Sequence, residues 1–146
     1  MKINGDFIAS VQKHNFCTEA TLDQDATLAA TQKKDALFSY EGYKAYQPFT
    51  TWWAEQQMII HTEFRDGNVP AGYEQLRVFI DSLAMLPPGV TKVYLRPDTA
   101  GYQHDLLKYC EKGMNERFGR IEFVIGFDVT REFKKQLLKC KNGSPL

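Results

Sequence analysis

Thr21-Leu22-Asp23-Gln24-Asp25-Ala26-Thr27-Leu28 alternates polar and apolar side chains with a period of two. That is the period of a strand with one buried face. It sets Leu22, Gln24, Ala26 and Leu28 on one side and Thr21, Asp23, Asp25 and Thr27 on the other. A second stretch, Val93-Tyr94-Leu95-Arg96-Pro97-Asp98-Thr99-Ala100-Gly101-Tyr102, closes a short strand on an aspartate at the switch into a helix. Burying a carboxylate on a strand is costly unless it is hydrogen-bonded, paired or bound to a metal. Two in matching contexts point to a divalent cation, whose preferred ligands are hard oxygens. Asp25 and Asp98 are the candidate pair, and Asp23 is the nearest alternative ligand.

Outward from these strands, the spacing predicts a short helix or turn in a lead-in over residues 1–17. The first strand is followed by a polar loop through Gln32–Gly42. Tyr43–Trp53 and Met58–Phe64 then read as two antiparallel strands joined by a short hairpin, and Arg65-Asp66-Gly67-Asn68-Val69-Pro70 ends the second. Leu76, Phe79, Ile80, Leu83 and Leu86 recur at helical spacing until Pro87-Pro88-Gly89 stops them. Lys92–Arg96 is a fourth strand, and Tyr102, Leu106, Leu107 and Cys110 mark a helix ending at Gly113. Ile121–Val129 is a fifth, doubly buried strand. Thr130 caps a basic helix to Cys140, and residues 141–146 form a frayed tail. Helical crossovers make the last two strands parallel to a neighbour. The expectation is one α/β domain over residues 1–146, a mixed five-stranded sheet of three antiparallel and then two parallel strands, flanked by helices. With the first strand central, Asp25 and Asp98 fall on adjacent strands.

Composition narrows the function. The chain has 146 residues, with 18 basic and 18 acidic side chains and no net charge. That is not the strongly basic footprint of an autonomous nucleic-acid binder. No apolar run is long enough to span a bilayer. The amino terminus lacks an apolar signal core, so a cytoplasmic protein with no membrane association is expected. Three cysteines, Cys17, Cys110 and Cys140, are widely spaced and fit reduced, structural thiols better than a disulfide frame. His14, His61 and His104 share no metal-ligand spacing. No nucleotide-cofactor or hydrolase motif is present.

Four blocks carry a resemblance. Leu22–Thr27, Gly42-Tyr43-Lys44-Ala45-Tyr46-Gln47-Pro48, Phe64–Pro70 with Gly72-Tyr73-Glu74-Gln75-Leu76-Arg77, and Leu95–Tyr102 together resemble the DDE-type transposases of bacterial insertion sequences. The resemblance implies a ribonuclease H-like fold and metal-dependent phosphoryl transfer, with cleavage and joining of DNA strands at transposon ends. Asp25 and Asp98 take the places of the family's first two catalytic acids and metal ligands, with Mg²⁺ or Mn²⁺ as cofactor. DNA, as terminal repeats and target, is the implied partner, and the full-length enzyme is expected to dimerise. The family's third acid, a glutamate, lies well downstream of the fifth strand, so the chain reads as a truncated catalytic core with little activity alone. Glu122 and Glu132 are the local stand-ins by position. Arg65, Asn68 and Arg96 are candidate DNA contacts, although both arginines also have aspartates within reach as partners. Trp52, Trp53, Tyr43, Tyr46 and Phe49 suit either base stacking or a packed core, and core is the commoner fate. Two other functions fit the same residues: a non-enzymatic remnant that binds DNA or the full-length enzyme, and a nuclease of the same fold.

Overall fold

The alternation in residues 21–28 is realised in full. In the computed structural model, which describes residues 2–98 and 103–126, strand β1 (Glu19–Ala26) buries Ala20, Leu22 and Gln24 and turns Thr21, Asp23 and Asp25 to the opposite side. Helix α1 (Lys2–His14) precedes it. Two short strands, β2 (Ala29–Ala30) and β3 (Ala45–Tyr46), lead into β4 (Phe49–Trp53) and β5 (Met58–Glu63). Helix α2 (Gln75–Met85), strand β6 (Lys92–Pro97), helix α3 (His104–Glu111) and strand β7 (Glu122–Phe123) complete the described chain.

The main sheet runs β5-β4-β1-β6-β7, antiparallel through β5, β4 and β1 and parallel from β1 through β6 to β7. This is the mixed five-stranded α/β arrangement expected from the sequence, with β1 central. The fifth strand is seen at Glu122–Phe123; the remainder of its expected span beyond residue 126, the basic helix to Cys140 and the tail at 141–146 lie outside the described residues. Part of the lead-in is structural, because α1 sends Ile8 into the core.

One register links the two sheets. Leu22 faces Trp53 and Ala26 faces Phe49; beyond a short break, Ala29 faces Tyr46 and Ala30 faces Ala45, one step forward for each step back throughout. Backbone bonds from Thr27 to Pro48 and from Thr31 to Lys44 bridge and extend it. The segment expected to be a polar loop is therefore partly a ribbon, in which Phe38 pairs with Lys44 and Ser39–Gly42 turn. The loop after β5 docks against this ribbon, where Gly67 donates to the Ala45 carbonyl. A Cβ on Gly67 would meet that oxygen at 2.5 Å, so only glycine fits without displacement.

Helices α1 to α3 cover one face of the sheet. Trp53, Leu22, Ile60, Phe79, Leu95 and Leu106 form the heart of the core, each worth on the order of 1.5–3 kcal/mol in burial. Helix α2 is rotated from its expected face: Ile80 is 40% exposed, while Gln75 and Ser82 are buried. The cause is a polar network. Gln24 donates to Thr51 at 3.2 Å, Ser82 lies 2.8 Å from the same hydroxyl, and Gln75 donates to Gln24 at 3.3 Å. Polar side chains on β1, β4 and α2 thus bond one another, leaving the buried Gln75 Oε1 without a partner among the described residues. Helix α3 ends as expected at Gly113, whose φ of 63° suits glycine. Burial pushes the Cys110 thiol up to about 12, which keeps it an inert packing residue.

Candidate functional site

The candidate site lies on the face of the sheet opposite α1 to α3, which no helix covers among the described residues. Strand β6 buries Val93, Leu95 and Pro97, so Tyr94, Arg96 and Asp98 share the side occupied by Thr21, Asp23 and Asp25. The parallel register pairs Asp23 with Arg96 and Gln24 with Pro97. That is the last pair of the ladder; continued by one residue, the same register would bring Asp25 opposite Asp98, with neighbouring strands about 4.8 Å apart. Both aspartates are exposed at the carboxyl ends of their strands. The Thr27 hydroxyl donates to Asp25 at 2.9 Å, and the Thr50 hydroxyl donates to the Asp25 carbonyl at 3.4 Å.

Asp23 is committed elsewhere. Arg96 donates through Nε and Nη2 to its two carboxylate oxygens at 2.6 and 2.7 Å, a bidentate pair across β1 and β6. The pair raises the pKa of Arg96. Asp23 therefore fixes the guanidinium, which also feels the Glu55 carboxylate toward the amino end of β1.

The remaining sequence candidates are dispersed. Arg65 is buried, 5% exposed, with its guanidinium 4.5 Å over the Phe49 ring and Nε donating to Glu63 at 2.7 Å. Its partner is thus Glu63, not Asp66. Asn68 is exposed on the loop docked against β3. Glu122 stands opposite Tyr94, four residues before Asp98 along β6, or about 13 Å; its carboxylate faces Lys92 at 3.6 Å. It is not brought to the aspartate pair. Glu132 lies outside the described residues. Trp53 and Phe49 are core residues, whereas Trp52 is exposed opposite Asp23.

A concavity of about 390 Å³ opens on the same face toward the amino end of β1, lined by Thr21, Glu55, Tyr94, Arg96, Glu122 and Val124. Burial works against the Glu55 carboxylate there. Hydrogen bonds from the Thr21 hydroxyl and backbone, at 2.6 and 2.8 Å, outweigh it and hold the pKa below its ordinary value. Glu55 is thereby a tie to the start of β1, and the concavity contains neither Asp25 nor Asp98.

Among the described residues, no group of three or more His, Cys, Asp or Glu side chains is arranged to hold a metal ion. Two aspartates on one face are nonetheless a donor set that suits an ion of the Mg²⁺ kind, which commonly takes one or two carboxylates and completes its shell with water and phosphate oxygens. The residues fit one such ion in an open site.

No family model and no curated protein matches the sequence. The fold does have solved counterparts. A piggyBac transposase, solved as a synaptic complex with hairpin DNA, superposes with a TM-score of 0.56 at 15% identity, over 94% of this chain and 29% of the transposase chain. The Mos1 mariner transposase, in a paired-end complex with Mn, gives 0.47 at 12% identity, over 98% of this chain and 54% of its own. This chain spans under a third of the piggyBac chain it resembles. The first similarity is one of fold alone, that of a mixed five-stranded sheet with flanking helices. No helix among the described residues is long and apolar enough to cross a membrane.

Proposed function

We propose that this chain is the catalytic-core portion of a DDE-type DNA transposase, of the insertion-sequence kind that the sequence blocks resemble. The observation that supports the reading is the parallel register of β1 and β6, which pairs Gln24 with Pro97 and so leaves Asp25 and Asp98 as the next residues of adjacent strands. Their roles follow from chemistry. Both carboxylates would hold a divalent cation, Mg²⁺ or Mn²⁺, which when bound supplies Lewis-acid stabilisation of a DNA phosphate undergoing strand transfer. Thr27 orients the Asp25 carboxylate. Arg96, held side-on by Asp23, offers its remaining guanidinium N–H donors and its charge to the phosphate backbone, with exposed Asn68 a second contact. Buried Arg65 serves the fold, and Asp23 positions Arg96.

Two acids hold one ion, and the two-ion form of this chemistry needs further ligands. Neither Glu122 nor any other described acid stands with the pair, so this stretch alone is expected to cleave or join DNA poorly. Transposon ends and target DNA are its proposed partners, and a dimer is proposed for the complete enzyme. Titration of Mn²⁺ by calorimetry tests the reading. The parent chain should bind an ion that Asp98→Asn loses, with thermal stability unchanged to within about 0.5 kcal/mol. Equal binding by both proteins would sink the aspartate pair.

A further inference from the structure

The face that carries Asp25 continues beyond the sheet. From Lys44 to Trp53 burial alternates without a slip: Ala45, Gln47, Phe49, Thr51 and Trp53 point inward, and Lys44, Tyr46, Pro48, Thr50 and Trp52 point outward. Thr50 is the cross-strand neighbour of Asp25. The outward row therefore leads from the aspartate to Tyr46, about 13 Å away, and to Lys44, about 20 Å away.

At its far end the row meets rings and cations. Phe38 pairs with Lys44 across the ribbon and has the Lys44 ammonium 6.0 Å from its centroid. Tyr46 packs against Phe64 at 4.7 Å and has the Lys33 ammonium 5.8 Å from its centroid. Phe38 is 62% exposed and Phe64 68% exposed, so each ring is braced on one side and open on another. The Lys44 ammonium donates to the carbonyl oxygens of Lys34 and Lys33 at 2.9 and 3.5 Å, which gathers three lysines into one patch. Among the described residues, none of these lysines lies within ion-pair distance of a carboxylate. The acids nearby, Asp35 beside the Tyr46 hydroxyl, Asp66 bridged to Tyr46 and Glu41 at the turn, equal the lysines in number, so the patch is charge-balanced but not ion-paired.

From this arrangement we infer that Phe38, Phe64 and the Lys33–Lys34–Lys44 cluster form a binding platform for single-stranded nucleic acid that delivers a strand toward Asp25. Ammonium groups held beside rings and not ion-paired with carboxylates suit phosphates, and open aromatic faces suit unpaired bases. Spacing favours a single strand over a duplex: outward residues two apart are about 6.6 Å from each other, against a 3.4 Å rise between stacked bases in a duplex strand. The inference rests on the transposase reading for its purpose but not for its measurement.

The test is fluorescence anisotropy of a labelled oligothymidylate with the 146-residue chain, in EDTA so that no cation takes part. Phe38→Ala and Phe64→Ala should each weaken binding about tenfold, with thermal unfolding unchanged, and Phe64→Trp should restore it. Lys34→Gln should lower the salt dependence by about 0.7 in log–log slope. Asp98→Asn should bind the oligonucleotide like the parent, so the platform and the metal pair fail separately. The platform is overturned if the parent ignores the oligonucleotide, or if both alanine variants bind it unchanged. It is equally overturned if they lose self-association in sedimentation while keeping DNA affinity, since the face would then be covered by a second copy.

Discussion

The two faces of the central sheet are made from the same strands, yet they do opposite work. Toward the helices, Leu22, Leu95 and Trp53 are buried apolar groups joined by a hydrogen-bonded polar set, Gln24, Thr51, Ser82 and Gln75. On the opposite face, the neighbouring residues Asp23, Asp25, Arg96, Asp98 and Trp52 are charged or aromatic, and the Asp23–Arg96 pair ties β1 to β6. Stability is concentrated on one side and the candidate chemistry on the other. Strand alternation lets both be tuned almost independently, because one step along the chain changes face.

The sharpest way to break this comparison is to strike the core face. Trp53→Ala should cost about 3–5 kcal/mol in urea unfolding; a loss below about 1 kcal/mol would mean the core face is not where stability resides. Gly67→Ala comes next. Its Cβ would press on the Ala45 carbonyl at 2.5 Å, and about 1–3 kcal/mol should be lost, with faster proteolysis of residues 27–48 than in the parent. A third probe is pH. Burial works against the Glu63 carboxylate, but hydrogen bonds from Arg77 and Arg65 prevail and hold its pKa below the ordinary value. A depressed folded pKa adds stability that is present above the unfolded value of about 4.3 and fades as pH falls through the folded one. Glu63→Gln should lower stability at neutral pH by about 1 kcal/mol and flatten the acid limb of the stability curve below pH ~4.3. The smallest effect on folding belongs to the open face. Arg96→Met should cost under about 1 kcal/mol, since the pair is exposed. It should also tighten Mn²⁺ binding, because a cation on that face is gone and Asp23 is freed; weaker binding would show that Arg96 is needed to shape the site.

Much of this was legible in the sequence because β1 and β6 keep a clean period of two. The alternation alone assigned Asp23 and Asp25 to one face of a strand and set Asp98 at the end of another, and the crossovers allowed an arrangement in which the two strands are neighbours. Pairings across strands were not legible, since they depend on register. Arg96 meets Asp23 rather than Asp98, and Arg65 meets Glu63 rather than Asp66. The face of α2 was misjudged for a related reason. Hydrophobic spacing favours Ile80 over Ser82, but Ser82 has a buried hydroxyl partner waiting on β4. Residues 32–42 look polar and loop-like because their rings, Phe38 and Tyr40, are carried outward rather than into a core.

The shared register of β1 with β4 and of β2 with β3 places an arithmetic restriction on this chain. Two residues, 27–28, separate β1 from β2, and two, 47–48, separate β3 from β4, so the count between the aspartate row and the ribbon is even on both sides. Parity, more than length, is what the break conserves. Adding one residue to one side would turn Lys44 and Tyr46 inward and Ala45 outward, whereas adding two would lengthen the ribbon and keep every side chain on its own face. Length variation at this junction should therefore be tolerated in pairs.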